Sequence, residues 1–328
     1  MDWWQVLRDA EPLYGVFLVC LGGIAGSFAS AAVYRIPKEH LSLWKPSRSF
    51  CPSCKHTLRW QDNLPLVGWF LLRGKCRYCQ VPYGSGYLVH EWGLAFLFLA
   101  VGGSSWASAG PLAMLIVLVV LVALWVAAAI DFRHFILPDG ITLGGIPFGF
   151  LAAYLVPAFH LGPELQNLPW GLGFFGLNLE NSPQGLALAS AALGSGISFI
   201  LLFGIRALFS YLLGQEALGL GDVKYLTAVG ALLGLEGSIW TLLVGVMAGA
   251  VFGLFNIFRM SCLLYLRHRR RGRQPGWRHT LHRGWWFGRQ IPFGPPLVLG
   301  TGLVLFFPDE LRLFFLKTWP QYLQDSLL

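Results

Sequence analysis

The chain has 328 residues, of which 55% are hydrophobic and only 12% are charged, and its mean hydropathy is +0.58. Such a chain is too apolar to be a soluble domain of this length, so the composition predicts an all-α polytopic membrane protein. The formal net charge of +8 does not call for a nucleic-acid partner, because the basic residues concentrate in loops between apolar segments.

Eight apolar segments follow one another along the chain, and each is long enough, or nearly so, to cross about 30 Å of hydrocarbon as a helix. Their approximate bounds are 13–34, 87–105, 111–130, 140–158, 185–206, 222–236, 238–259 and 291–307. The sixth segment is short for a membrane span. We therefore predict about eight transmembrane helices, with domain bounds at 1–34 for the first span, 35–86 for a cytoplasmic domain and 87–328 for a membrane core.

Basic residues predict the orientation of these helices. Nine of the 24 Lys and Arg residues fall in 35–86 and nine, all Arg, in 259–290. The loops at 106–110, 159–184 and 237 contain none. The positive-inside rule therefore places both basic loops in the cytoplasm and both chain termini outside it. Anionic lipid headgroups are expected partners of the basic loops, while the sequence leaves the roles of 159–184 and 259–290 open.

Four of the six cysteines lie in the first basic loop, as the two Cys-x-x-Cys pairs Cys51/Cys54 and Cys76/Cys79. Two such pairs form a tetrahedral thiolate cage that suits Zn²⁺. The cytoplasm is reducing, so a metal is favoured over the alternative of two disulfides. With no open coordination position, the predicted zinc is structural.

Two aspartates interrupt the apolar pattern at positions that the predicted topology puts at one membrane face. Asp131 ends the third apolar segment and Asp222 opens the sixth, both on the cytoplasmic side. A carboxylate beside a membrane span is costly and therefore marks a functional site. Two carboxylates at one depth are what an aspartic peptidase needs, because one deprotonates a water and the other polarises the scissile carbonyl.

The residues around Asp222 support close access to a substrate. Gly219 and Gly221 lack side chains, so a substrate backbone could approach the carboxylate, although glycines are also common before helices. Lys224 lies at the same helix end and could pair with a lipid phosphate or hold a carboxylate ionised. Asp139, in "LPDG", is interpreted as a helix start and not as a catalytic residue.

Five stretches, in this order, resemble the type IV prepilin leader peptidase family, the GxGD-type membrane aspartic peptidases of type IV pilus and type II secretion systems. They are "GGIAGSFASAAVYRIP", "CPSCKHTLRWQDNLPLVGWFLLRGKCRYC", "IDFRHFILPD", "GLGDVKYLTAVGALLG" and "IPFGP". The resemblance covers most of the chain. It carries the two catalytic aspartates of the family onto Asp131 and Asp222.

The resemblance implies a prepilin peptidase in the bacterial inner membrane, with periplasmic termini and an active site at the cytoplasmic face. It would cleave the basic leader of a prepilin or pseudopilin after a glycine and then N-methylate the new terminus with S-adenosylmethionine. Candidates for the methylation half, by their position in matching motifs, are Trp60, Asp62, Asn63 and Glu91. Ser30 stands where the family has Asn, and Asp62 where it has Glu.

Two other functions stay open from the sequence. A peptidase without methyltransferase activity is compatible with "GYLVHE" at 86–91, which keeps Tyr87 and Glu91 of the family motif but lacks its Arg and Pro. A transporter would also have acidic residues among its apolar spans. Transport sites, however, usually lie at the bilayer midplane between inverted repeats, whereas Asp131 and Asp222 are predicted at one membrane face. The sequence names neither the pilin, nor the secretion system, nor the oligomeric state.

Overall fold

A computed structural model describes residues 10–38, 41–46, 48–160, 182–214, 218–270 and 292–322, together with Gln5 and Arg8. Most of the predicted outer loop at 159–184, and the second basic loop beyond residue 270, lie outside the described residues. Among the described residues the secondary structure is helical, with two isolated β-bridges and no strand. The all-α prediction is therefore confirmed.

The helices coincide with the predicted apolar segments. They are α1 (Glu11–Arg35), α2 (Gly68–Leu71), α3 (Gly86–Gly102), α4 (Ser105–Ser108), α5 (Pro111–His134), α6 (Asp139–Leu155), α7 (Pro183–Leu213), α8 (Leu220–Arg270), α9 (Gly294–Phe306) and α10 (Pro308–Leu313). Short 3₁₀ turns lie at Trp60–Asn63 and Pro157–Phe159, and a π turn at Phe314–Thr318.

Four of these helices, α1, α5, α7 and α8, are long and apolar enough to cross a membrane. The apolar helices α3, α6 and α9 are shorter, with 17, 17 and 13 residues. A helix of 17 residues is only about 26 Å long at about 1.5 Å per residue. The chain is thus an integral membrane protein by its helices, while the number of eight crossings stays a prediction.

The long helix α8 contains a break at Gly234, whose backbone is non-helical with φ 73° and ψ −176°. The sequence predicted a boundary there between the sixth and seventh segments, but at 237. The break falls earlier because glycine adopts a positive φ without strain, whereas Gly237 continues the helix. The part of α8 that starts at Leu220 is therefore short, as the sequence indicated.

The chain divides into two compact units, Met1–Ile141 and Thr142–Leu328. In the first unit α1 packs along α3, and Gly22 and Gly26 form a Gly-x-x-x-Gly pair at the contact. A Cβ on Gly22 would lie 2.5 Å from the Cα of Ala95, and one on Gly26 would lie 2.5 Å from the carbonyl oxygen of His90. Only glycine permits this approach of the two backbones.

The second unit is built mainly from α7, α8 and α9, with α8 in contact with both neighbours. Small residues again set the spacing, since a Cβ on Gly300 would lie 2.6 Å from the carbonyl oxygen of Thr241. A buried hydrogen bond of 2.6 Å joins the Tyr225 hydroxyl and Thr301 Oγ1 across α8 and α9. The part of α8 that follows Asp222 is thus fixed within its unit.

Candidate active site and metal centre

Asp131 lies in the last turn of α5, and only 5% of the residue is exposed. The helix ends because Phe135 takes a left-handed conformation with φ 56°, and its backbone N–H donates to the carbonyl oxygen of Asp131 at 2.9 Å. Pro138 follows before α6 begins at Asp139, which confirms that Asp139 starts a helix. A continuous apolar run therefore ends on a buried carboxylate.

Polar groups of α3 and α5 meet near this helix end. The indole N–H of Trp125 donates to Nδ1 of His90 at 2.9 Å, and Gly93 leaves the space that the Trp125 ring fills. Arg133 lies beside the start of α3, since a Cβ on Gly86 would be 3.4 Å from its Nη2. These contacts hold α5, and with it Asp131, against α3. Sequence reasoning did not single out His90 or Trp125, because their pairing depends on the helix packing.

Asp222 lies in the first turn of α8, as the sequence predicted, and its side chain is half-buried. Two hydrogen bonds fix the backbone that leads into this helix. The guanidinium of Arg206, on α7, donates to the carbonyl oxygen of Leu218 at 2.9 Å. The backbone N–H of Asp222 donates to the carbonyl oxygen of Gly219 at 3.2 Å. Arg206 was not found from the sequence, where it is a lone basic residue in an apolar run.

Gly219 leaves open the space beside the carboxylate. A Cβ at this position would lie 3.0 Å from Oδ2 of Asp222, which is tighter than ordinary contact. This distance supports the interpretation that glycine is needed there for access. Gly221 and Lys224 are both half-buried and flank Asp222 in the first turn. The two aspartates belong to different units, and their pairing stays a prediction.

The four loop cysteines are brought together by two knuckles of the same design. In each, the residue after the second cysteine has a positive φ, 61° at Lys55 and 56° at Gln80. Each knuckle is closed by one antiparallel bridge, between Phe50 and Thr57 and between Lys75 and Pro82. The repeated turn aims both thiols of each pair toward a common centre.

The geometry of this cluster fits a metal ion. The Sγ atoms of Cys51, Cys54, Cys76 and Cys79 all lie within 4.8 Å of one another. Those of Cys51 and Cys79 are 3.8 Å apart. That is close to the separation of about 3.8 Å for two thiolates on a tetrahedral Zn²⁺ with bonds of about 2.3 Å. All six cysteines of the chain are among the described residues, and none forms a disulfide.

Backbone donors favour the thiolate of Cys51. Burial disfavours the charged form of Cys51, but the backbone N–H groups of Cys54 and Ser53 stabilise it and lower the pKa of this thiol to about 7. Thiolates are the form that binds zinc. The donor set, with four sulfurs and no oxygen or nitrogen, is that of a closed structural site.

Asp62 supports the second knuckle and is almost fully buried, with 1% of its side chain exposed. Its carboxylate accepts from Nε of Arg77 at 2.6 Å, from the Tyr78 hydroxyl at 3.3 Å and from the backbone N–H of Arg59 at 3.2 Å. Burial would raise the pKa of Asp62, but the Arg59 N–H and the Arg77 guanidinium outweigh it and hold the pKa below its usual range.

The four candidates for methylation occupy different surroundings. Trp60 is 74% exposed, and the Asp62 carboxylate accepts a hydrogen bond from Arg77 of the second knuckle. Glu91 is buried on α3 and accepts from the backbone N–H of Leu66 at 2.8 Å. Asn63 donates to the Ser27 hydroxyl of α1 at 3.3 Å. The Ser27 hydroxyl of α1 is hydrogen-bonded to both Asn63 and Glu91, so the structure connects these two candidates. A shared methylation site stays a prediction.

Comparison with known proteins defines the class of protein to which the helix-end aspartates and the cysteine cage belong. Residues 118–254 match the type IV leader peptidase family, and residues 20–104 match the bacterial peptidase A24 N-terminal domain. The chain belongs to this family, which confirms the membership that the motifs indicated. Asp131 and Asp222 both lie in the first of these regions and the four cysteines in the second.

Curated relatives carry more particular names. The chain is 33% identical over 71% of its length to a "Prepilin leader peptidase/N-methyltransferase" of Klebsiella pneumoniae, covering 90% of that protein. It is 28% identical over 92–93% of its length to proteins of that name from Aeromonas hydrophila and Aeromonas salmonicida, covering 93% of each. No solved structure matches the chain.

Proposed function

We propose that this protein is a prepilin leader peptidase that also N-methylates its product, with Asp131 and Asp222 as the catalytic pair. The observation that carries the proposal is the position of these two carboxylates, one in the last turn of α5 and one in the first turn of α8. Both lie in the region that matches the type IV leader peptidase family.

The chemistry follows from what two carboxyl groups can do together. One carboxylate takes a proton from water, and the resulting hydroxide equivalent attacks the carbonyl carbon of the prepilin glycine that precedes the scissile bond. The other, protonated, donates to the carbonyl oxygen as it gains charge. The C–N bond then breaks and the departing amine receives a proton. Two nearby carboxyl groups share one proton because both cannot ionise cheaply.

Access to Asp222 favours a substrate held in an extended form. Gly219 leaves room for a peptide backbone against Oδ2, and Arg206 fixes the turn that contains it. The scissile bond of a membrane-anchored pilin would meet the aspartates at the cytoplasmic membrane surface. This placement rests on the predicted topology, with periplasmic termini in the bacterial inner membrane.

The cysteine cage would hold one structural Zn²⁺ through Cys51, Cys54, Cys76 and Cys79, and the ion would fix the fold of the 35–86 domain. S-adenosylmethionine is the proposed methyl donor and supplies an electrophilic methyl group to the new N-terminal amine. Prepilins or pseudopilins are the proposed substrates, and membrane lipids the surrounding partners.

A cleavage assay tests the peptidase assignment. The protein would be produced with a prepilin, and leader removal and methylation would be determined from the product mass. Asp131→Asn and Asp222→Asn should each lower cleavage by at least about 10³-fold, because either change removes half of the acid–base pair. Asp139→Asn is the matched control, since this aspartate is exposed and starts α6, and it should cleave normally.

Full cleavage by either of the first two variants, at normal membrane abundance, would contradict the aspartic mechanism. A wild-type product that lacks its leader but has an unmodified terminus would support a peptidase without methyltransferase activity. Absence of cleavage by the wild-type protein would reject the prepilin assignment and favour the transporter alternative.

A further inference from the structure

The stretch between the two cysteine pairs contains an apolar segment that is not among the eight predicted spans. Residues 64–72 read "LPLVGWFLL", and no charged residue lies between Asp62 and Arg73. The segment is too short to cross a bilayer, which takes about 20 residues in a helix, and its length is typical of a buried or re-entrant segment. The sequence predicted the whole of 35–86 to be cytoplasmic, so the position of this segment against the apolar helices is informative.

The segment runs along the side of α1, away from the end that carries Arg35. Asn63 Nδ2 donates to Ser27 Oγ at 3.3 Å, and Leu66 lies against Gly23, where a Cβ would be 2.7 Å from Leu66 Cγ. At about 1.5 Å per residue, Ser27 is about 12 Å and Gly23 about 18 Å from Arg35. Gly23 is the middle residue of the 25-residue α1. Because α1 is long and apolar enough to cross a membrane, the side chain of Leu66 lies at the level of the hydrocarbon.

The helix α3 contacts the segment from the other side. The backbone N–H of Leu66 donates to Glu91 Oε2 at 2.8 Å, and Glu91 packs against Gly26 of α1. Leu66 has a left-handed backbone with φ 68°, so its N–H cannot belong to a continuous helix. A carboxylate among membrane helices is costly unless it has a partner. Glu91 therefore satisfies a backbone donor at a depth where water is scarce.

Other backbone donors of the segment are also paired. The N–H groups of Val67 and Gly68 donate to the carbonyl oxygens of Pro65 and Leu64, both at 2.8 Å, and Leu71 donates to Val67 at 3.0 Å. Pro65 has no N–H. Irregular backbone is tolerated at membrane depth only where protein or water satisfies it. The irregular turn at 64–66 is half-buried, and the short helix α2 forms the more exposed part.

The outer side chains of the segment are apolar. Val67, Phe70 and Leu71 are 49%, 56% and 68% exposed, which would be unfavourable in water for neighbouring side chains of this size. Basic residues flank the segment, with Arg59 before it and Arg73 after it. Such flanks favour the headgroups of the cytoplasmic leaflet, which are anionic.

We propose that residues 64–72 form a re-entrant segment that enters the bilayer beside α1 and α3 and leaves it on the same side, with Val67, Phe70 and Leu71 in contact with lipid acyl chains. The cysteine cage requires this return, because one cysteine pair precedes the segment, the other follows it, and their Sγ atoms all lie within 4.8 Å of one another. The proposal depends on neither enzymatic activity and refines the predicted cytoplasmic domain.

The test measures depth in the bilayer. The zinc-loaded full chain would be reconstituted in vesicles of phosphatidylcholine and phosphatidylglycerol. The unnatural amino acid p-acetylphenylalanine would replace Phe70 or Leu71 and carry a spin label, so that the cysteines stay unmodified. Electron paramagnetic resonance then compares the collision rates of the label with oxygen, which concentrates in hydrocarbon, and with a water-soluble nickel complex.

Two positions in the same unit calibrate this measurement. Ile24 follows Gly23 on α1 and is 58% exposed, so it is the reference for a side chain in hydrocarbon. Trp44 is 80% exposed and is the control for an apolar side chain at the end of α1, where Arg35 donates to the carbonyl oxygen of Leu43 at 2.8 Å.

We expect the ratio of oxygen to nickel collisions at Phe70 and Leu71 to equal that at Ile24 within about twofold, and to exceed that at Trp44 by at least about tenfold. In a second experiment, p-benzoylphenylalanine at Phe70 should crosslink to lipid on irradiation and increase the protein mass by that of one phospholipid.

A ratio at Phe70 and Leu71 equal to that at Trp44 would place the segment in water and overturn the proposal. Poor access of both reagents, or crosslinks to protein alone, would also overturn it, because a second copy of the chain or a pilin helix would then cover the segment.

The part played by Glu91 has its own pair of variants. Glu91→Leu removes the acceptor of the Leu66 N–H and should lower the collision ratio at Phe70 by at least about tenfold, because the unpaired N–H moves the turn toward water. Glu91→Gln keeps a carbonyl acceptor and should retain the wild-type ratio. Equal ratios in the two variants would contradict the assigned role of Glu91 in holding the segment.

Discussion

The two regions of this protein are held together in different ways. Within the N-terminal domain at 20–104, the segment between α1 and α3 depends on polar side chains: the Asp62 carboxylate accepts from Arg77, and the Glu91 carboxylate accepts from the Leu66 N–H. The apolar helices of both units depend instead on close backbone contacts, such as Gly26 against the His90 carbonyl and Gly300 against the Thr241 carbonyl. A small domain lacks a large apolar core, whereas helices in a membrane pack through small residues.

This difference indicates how the two proposed activities can coexist. Loss of a polar contact in the N-terminal domain should disturb methyl transfer and leave the peptidase intact. A change beside Asp222 should do the opposite. The predictions below test this separation, beginning with the largest expected effect.

Loss of a cysteine ligand should have the largest effect on the N-terminal domain. Cys54→Ser is expected to reduce bound zinc to background, because a structural zinc site supplies about 10 kcal/mol or more of folding free energy. Methylation should be abolished while prepilin cleavage persists. Elemental analysis of the purified protein and the product mass measure the two effects.

Cys20→Ser is the control for this experiment, since Cys20 lies on α1 away from the cage. It should keep full zinc and both activities. A zinc-free Cys54→Ser protein that still methylates would contradict the structural role of the cage.

A methyl group beside the second aspartate should lower peptidase activity alone. The Cβ of Gly219→Ala would lie 3.0 Å from Asp222 Oδ2, so we expect kcat/KM for prepilin cleavage to fall about tenfold. Gly196→Ala on α7 is the control, because nothing lies within 4 Å of its Cβ position. Equal cleavage by the two variants would show that Gly219 does not clear the approach.

The Asp62 carboxylate gives the N-terminal domain a pH-dependent contribution to stability. Asp62→Asn should lower the unfolding free energy at pH 7 by about 1.5 kcal/mol. This value is near the lower limit for a hydrogen bond to a charged group, because the Arg77 side chain is exposed and solvent screens its charge. The folded pKa of Asp62 is lowered, so its contribution is complete above the unfolded pKa of about 3.9 and disappears as the pH falls through the folded value.

Urea unfolding of both proteins at pH 7 and pH 3 measures this effect, and zinc loss common to both cancels in their difference. The difference between the two free energies should be smaller at pH 3 than at pH 7. A difference that is the same at both pH values would exclude the ionised Asp62 as its source.

The smallest predicted effect lies in the second unit, far along α8 from Asp222. Glu236 accepts from Arg312 Nη2 at 2.6 Å and from the Trp240 indole N–H at 3.0 Å. Glu236→Gln should lower the stability by about 1 kcal/mol, or Tm by about 2–4 °C, because the pair is only partly buried. Asp309→Asn, at an exposed partner of the same arginine, should leave Tm unchanged, and thermal unfolding compares them. A larger shift for Asp309→Asn would contradict this ranking.

The sequence predicted features that depend on local pattern. Apolar runs located the helices, paired cysteines located the cage, and "LPDG" located the start of α6. The sequence predicted the break in α8 at 237, slightly after its position at Gly234. Several glycines lie nearby, and the packing of the helices determines which of them takes the non-helical conformation. The Asp62–Arg77 bond was not predicted, since it joins residues that are not neighbours in the sequence.

The pairing of Asp131 with Asp222 stays a prediction from topology and from the family motifs. Each aspartate lies at a helix end, as predicted. The absence of a side chain at Gly219 leaves space beside the Asp222 carboxylate, also as predicted. These are properties of single helices, which sequence patterns report well.

The central claim is that cleavage and methyl transfer occupy separate sites in this chain. The most direct measurement supplies Asp222→Asn with a pilin whose leader has already been removed, together with S-adenosylmethionine, and determines the methylated fraction by mass. We predict methylation at the wild-type rate by a variant that cannot cleave a prepilin. Failure of Asp222→Asn to methylate the processed pilin, with its zinc content intact, would contradict the claim.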